Sequence, residues 1–179
     1  MSMVIDAVQV RTVTLSDAAA LAELLNAIIA QGGTTALEEP FTPELLADTY
    51  LTGPAVLGCF VAVDPDTGQL LGFQTLGRYP NLPDDIGDIG TFARIDGKQR
   101  GIGSALFAAT RARAEALGHS AINATIRADN TGGLAFYTKL GFVDHSVTRA
   151  VPLKDGTPVD RINKRYLLNS IENGGQCSR

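Results

Sequence analysis

The chain has 179 residues, 45% of them apolar and 19% charged, which suits one compact domain with its own core and is short for two. Its 15 basic and 19 acidic residues leave a formal net charge of −4 with no basic block, which argues against nucleic acid as a partner. Two isolated cysteines, Cys59 and Cys177, make neither a disulfide framework nor a metal site, and no apolar run approaches the roughly 18 residues that cross a bilayer.

Residues 8–13 read as a first strand. Ser16 is expected to cap a helix, with Asp17 in its first turn facing the positive dipole end. Leu21, Leu24, Leu25, Ile28 and Ile29 follow at helical spacing until Gly32 and Gly33 stop them. Thr42-Pro43-Glu44 starts a second helix, with proline where its missing N–H costs nothing, and Gly53-Pro54 ends it. Residues 57–63 and 70–76 are apolar strands around the turn Asp64-Pro65-Asp66-Thr67-Gly68, a predicted hairpin, with Cys59 a small buried hydrophobe in the first.

After an exposed loop at 81–85 comes a fourth strand at 86–94, then a helix from Gly101 to about Leu117, closed by Gly118. Residues 121–127 form a fifth strand, 131–140 a short helix, 142–151 a sixth strand and 160–168 a seventh. The order β-α-α-β-β-β-α-β-α-β-β predicts the α/β class, a mixed sheet with helices on its faces. One domain is expected over residues 1–170, with a mobile polar tail at 171–179.

The stretch that carries chemistry is Lys98-Gln99-Arg100-Gly101-Ile102-Gly103-Ser104, between a strand and a helix. Two glycines let the backbone approach a ligand closely, and the helix start supplies unpaired N–H groups at a positive dipole end. Together these suit a diphosphate, with Lys98 and Arg100 adding charge. A plain structural turn explains Gly-x-Gly as well. It is not a P-loop, since no Gly-Lys-Ser/Thr follows, and it lacks the third glycine of a dinucleotide fingerprint.

Asn130, at the end of the fifth strand, precedes Tyr137-x-x-Leu140-Gly141-Phe142. With these motifs the chain resembles the GNAT N-acetyltransferases, over about residues 8–168. The resemblance implies a GNAT fold, a seven-stranded mixed sheet with about four helices, and acetyl-CoA as co-substrate without a metal. It implies that the amides of the 98–104 turn hold the CoA diphosphate and that Thr91, Phe92 and Ala93 pair with the pantetheine arm in a slot between splayed strands. Asn130 would bond the pantetheine or nearby backbone, and Tyr137 would face the sulfur as general acid. The family has Gln or Arg where this chain has Lys98.

Such chemistry needs an amine freed of its proton, an N–H for the oxyanion, for which that of Ala93 is the candidate, and a donor for the leaving thiolate. Asp88 is the candidate base. It lies thirteen residues before Gly101, where phosphinothricin-type relatives carry Glu; a solvated strand-end carboxylate is the other reading, and Asp85 an alternative base. Asn130 reads equally as a helix N-cap and Tyr137 as a core aromatic. His119 reads as capping or exposed, and His145 as solvent-facing.

The segment 28–43 resembles the phosphinothricin and small-amino-acid acetyltransferases, which implies a small amine acceptor whose ammonium Glu38 and Glu39 could receive. A protein N-terminal or lysine acetyltransferase and a non-catalytic acyl-CoA-binding module are the rivals. A cytoplasmic location without signal peptide and a homodimer through the apolar strand 165–168 complete the expectations.

Overall fold

The structure is a computed structural model that describes residues 8–97 and 101–168. Lys98, Gln99, Arg100, Cys177 and the predicted tail lie outside the described residues. Seven strands form one mixed sheet: β1 Gln9–Thr12, β2 Val56–Val63, β3 Leu70–Gly77, β4 Ile86–Ala93, β5 Ala121–Arg127, β6 Val143–Pro152 and β7 Pro158–Leu167, in the order β1-β2-β3-β4-β5-β7-β6. Neighbours run antiparallel except β4 and β5, the parallel pair at the centre. Four helices cover the sheet: α1 Ala18–Gln31, α2 Pro43–Leu46, α3 Ile102–Ala116 and α4 Thr131–Leu140. The predicted element order holds throughout.

The helices divide between the two faces because each carries one apolar stripe. Leu21, Leu24, Leu25 and Ile28 of α1 and Leu46 of α2 bury against Cys59, Val61 and Phe73 of β2 and β3. On the other face α3 and α4 bring Phe107, Ala114 and Tyr137 onto Leu76, Ile89, Ile122 and Phe142. The face of β5 and β7 opposite α4 carries Asn123, Thr125, Asn163 and Arg165, which hydrogen-bond to one another along the strands.

Three local expectations need correction. Ser16 does not cap α1; it sits inside a 3-10 turn, Leu15–Asp17, that leads into the helix. Asp17 is buried, and it accepts two hydrogen bonds from Arg11 (2.8 and 2.9 Å) and one from the Thr14 amide (2.8 Å). The short turn after β1 brings a guanidinium into reach, and a buried carboxylate needs a counter-charge more than it needs a helix dipole. The second helix is α-helical only to Leu46 and continues as a π turn, Ala47–Leu51. His119 is half-buried rather than exposed, and its Nδ1 lacks a hydrogen-bond partner among the described residues. Burial pushes its pKa down.

Candidate active site

The central parallel pair does not run its full length. β4 and β5 pair from Ile86↔Ala121 to Ile89↔Ala124, and no further. Beyond that point β4 stays with β3 as far as Ala93, and β5 stays with β7 as far as Arg127. Two strands held by opposite neighbours therefore diverge, and a wedge opens at their C-terminal ends. The Arg94 amide donates to Leu71 O of β3 at 2.9 Å. Backbone polar groups alternate sides along a strand, so those of Thr91 and Ala93 turn toward the wedge. An extended ligand can pair with them.

The helices after these two strands both start at the wedge's mouth. Gly101, at φ +85, is the N-cap of α3, a left-handed conformation that glycine adopts without strain. The first intrahelical bond, Ala105 N to Gly101 O at 3.0 Å, leaves the amides of Ile102, Gly103 and Ser104 without helical partners. Gly103 is needed for another reason than a ligand's approach. A Cβ there would lie 2.4 Å from Cε2 of Phe136, so its missing side chain lets α3 close on α4.

Tyr137 projects from α4 to the wedge on the α3/α4 face. It is only 7% exposed, and its ring lies edge-on to Phe136 and Phe142. Its hydroxyl is 2.8 Å from Thr91 Oγ1, which accepts from Gln74 Nε2 at 2.9 Å. Burial, more than the charge of Asp88, pushes the phenol up to about 12, against a smaller lowering by Thr91. It stays a protonated donor at neutral pH.

Asp88 stands across the wedge. Strand alternation puts Asp88 and Phe92 on the α1/α2 face and Thr91 on the other. Phe92 stacks there on Phe73 and Tyr50, and Tyr50 on Phe41. Desolvation raises the Asp88 pKa, partly offset by a 2.8 Å hydrogen bond from Asn123 Nδ2 and by the charge of Arg165. Arg165 Nε in turn donates to Asn123 Oδ1 at 2.8 Å. Asp88 is thus a half-buried, anchored carboxylate rather than a solvated strand end. Gln74, Asn123, Arg165 and Tyr50 were missed in the sequence, although a polar residue inside the apolar runs 70–76 and 121–127 is a usable signal.

Three other candidates have partners within the chain. Asn130 is the N-cap of α4, accepting from Gly133 N and donating to Thr34 O, each at 2.9 Å. Glu38 and Glu39 are both engaged by Lys154. Glu38 accepts from the Lys154 amide at 2.8 Å and Glu39 pairs with the Lys154 ammonium, because the β6–β7 turn reaches the loop after α1. That loop is also held where Arg127 donates to Thr35 O and where Asn26 bonds both backbone groups of Phe41. Among the described residues no group of His, Cys, Asp and Glu is arranged to hold a metal ion. Cys59, 2% exposed, is pushed up to about 12 by burial and is a poor nucleophile. His145 is exposed.

The model of the acetyltransferase (GNAT) family matches residues 22–142. No curated protein matches the chain. Among solved structures it is similar to a GCN5-related N-acetyltransferase from Kribbella flavida, at 24% identity over 90% of this chain and 98% of that one, with a TM-score of 0.77. A phosphinothricin acetyltransferase from Sinorhizobium meliloti, solved with AcCoA, is 20% identical over 90% and 89%, at 0.77. A ribosomal-protein-alanine N-acetyltransferase from Brucella melitensis is 19% identical over 89% and 99%, at 0.75. At such identities these likenesses speak for the fold.

Proposed function

The chain belongs to the acetyltransferase (GNAT) family, and from that premise we propose that it moves the acetyl group of acetyl-CoA directly to a primary amine of a small molecule, an amino acid or analogue. The observation that carries this reading is the wedge past Ile89 and Ala124, with a buried phenol on one face and a half-buried, anchored carboxylate on the other. Acetyl-CoA supplies an activated thioester and a thiol leaving group. The amides of Ile102, Gly103 and Ser104 suit its diphosphate, and the residue types of Lys98, Gln99 and Arg100, next in sequence, suit it too; Thr91, Phe92 and Ala93 suit its extended arm, with Asn130 bonding the pantetheine or nearby backbone.

The amine enters from the Asp88 face. Asp88 takes its proton, directly or through a water, and its raised pKa narrows the gap to an ammonium near 10. Nitrogen then bonds the carbonyl carbon, the Ala93 N–H steadies the oxyanion, and the C–S bond breaks as the carbonyl reforms, with the second nitrogen proton passing, directly or through water, to the departing thiolate to leave a neutral amide and the CoA thiol. Tyr137 donates to the leaving sulfur. With the phenol at about 12 and an ordinary thiol at about 8.5, full proton transfer is uphill by several pK units. Tyr137 therefore acts first as a hydrogen-bond donor. Thr91 accepts from Gln74 and can donate its own O–H to the phenol oxygen, which leaves the Tyr137 O–H free to point into the wedge.

The likeness to a phosphinothricin acetyltransferase supports a small acceptor. A ribosomal-protein acetyltransferase among the similar structures keeps the protein-substrate reading in the test. Acetyl-CoA with a panel of amines and N-terminal peptides, read by thiol release, decides: the reading requires turnover with small amines, and its failure across the panel would leave an acyl-CoA binder. We also propose a cytoplasmic homodimer. Val143, Val147 and Leu167, exposed at the β6–β7 end, support the dimer, which sedimentation tests.

A further inference from the structure

Four cations stand on the Asp88 face of β5 and β7 or at its rim. The unbroken register from Ala121↔Leu167 to Arg127↔Arg161 keeps Asn123, Thr125 and Arg127 on one face with Arg161, Asn163 and Arg165. Three of the cations are matched. Arg127 holds both oxygens of Asp129, at 2.9 and 2.7 Å, Lys154 holds Glu39, and Arg165 reaches Asp88 through Asn123.

Arg161 is not matched. It is 7% exposed, has no carboxylate in ion-pair contact among the described residues, and makes one long hydrogen bond, Nη1 to Val159 O at 3.4 Å. Asp129, whose carboxylate feels its charge, is already engaged at both oxygens by Arg127. A guanidinium cannot shed its proton to escape burial. Taken from water without a partner it is costly to fold, and a neutral ligand would not offset that cost.

Arg161 lies opposite Arg127, at the open end of the wedge, and the loop after α1 is fastened there through Arg127 and Thr35 O. Where the pairing ends, β7 is two strand spacings from β4, roughly 10 Å, and the gap widens from there toward Arg161; a small acceptor spans it together with the reach of an arginine side chain. A planar fork of N–H donors fits a carboxylate with two parallel hydrogen bonds. We infer that Arg161 is the anion-recognition residue of the acceptor site, and that the acceptor amine carries a carboxylate. An amino acid is the class that fits. This rests on the proposed transfer to a small amine at the wedge.

The test compares each L-amino acid with its carboxamide, both with acetyl-CoA, by thiol release, in wild type and Arg161→Gln. Wild type should favour the acids about 10- to 100-fold in kcat/KM. Arg161→Gln should raise KM for the acids and erase the preference, with no fall in melting temperature, because it removes a buried unpaired charge. Arg161→Lys should restore part of the preference. Equal use of acids and carboxamides by wild type would overturn the inference without needing a variant. So would a preference that survives in Arg161→Gln, or turnover of other amines but of no amino acid, and in each case direct transfer to a small primary amine stands. No turnover with any amine would remove the transfer and the inference together.

Discussion

On the α3/α4 face of the wedge, Tyr137 is fixed by hydrophobic packing: aromatic rings on two sides and the close approach of two helices over Gly103. On the opposite face, Asp88 is fixed by a hydrogen bond from Asn123, which Arg165 holds in turn, under a loop that an ion pair and side-chain clamps hold in place. A donor-side group that must stay protonated gains from dry surroundings, which hold the phenol up to about 12. In the proposed transfer the acceptor-side group takes up and releases protons, which partial burial moderated by polar partners suits, and Asp88 has both. The same low dielectric serves opposite ends in the two places.

Variants on the two faces should fail in different ways. Tyr137→Phe keeps the packing and removes the donor, so turnover should fall by roughly 10²–10⁴-fold while calorimetry finds acetyl-CoA bound as before. A fully active variant would reduce Tyr137 to core packing. Asp88→Asn should lower the rate at neutral pH and recover partly as pH rises and free amine accumulates. A wild-type pH–rate profile would make Asp88 a bystander.

Asp88→Asn should also raise the melting temperature at neutral pH. A carboxylate whose pKa is raised by folding favours the folded state below its unfolded value, and that contribution is lost as pH rises through the folded value. Equal melting at neutral pH would mean that Asn123 and Arg165 cancel the burial cost. Asp17 has the opposite sign. Hydrogen bonds from Arg11 hold it below the usual carboxylate range, so its contribution is present above the unfolded value and lost as pH falls through the folded one.

Smaller effects sharpen the contrast. Gly103→Val should destabilise the fold by about 1–3 kcal/mol, through collision with Phe136. Pairing it with Phe136→Ala should return part of that loss. Lost acetyl-CoA affinity at unchanged stability would instead point to the turn's ligand side. Asn130→Ala removes the α4 cap and should cost about 1 kcal/mol in denaturant titrations.

The element order was legible because hydrophobic period and turn residues dictate it locally, as in the hairpin around residues 64–68. Ser16 misled because cap preference ignores Arg11, which the turn after β1 brings to Asp17. Glu38 and Glu39 misled in the same way, since Lys154 is distant in sequence and adjacent only in the fold. Tyr137, Asp88 and the glycine turn were visible as motif residues. Gln74, Asn123 and Arg161 draw their roles from cross-strand register, which no single segment encodes.

If acetyl donor and amine meet in the wedge from its two faces, both must be bound before any bond changes. Initial velocities measured while acetyl-CoA and the amine are both varied test this directly. Double-reciprocal lines that intersect are predicted, with no acetylated enzyme detected by mass spectrometry when acetyl-CoA is supplied alone. Parallel lines with an acetylated side chain would contradict the account, since they require a protein nucleophile and two separate half-reactions.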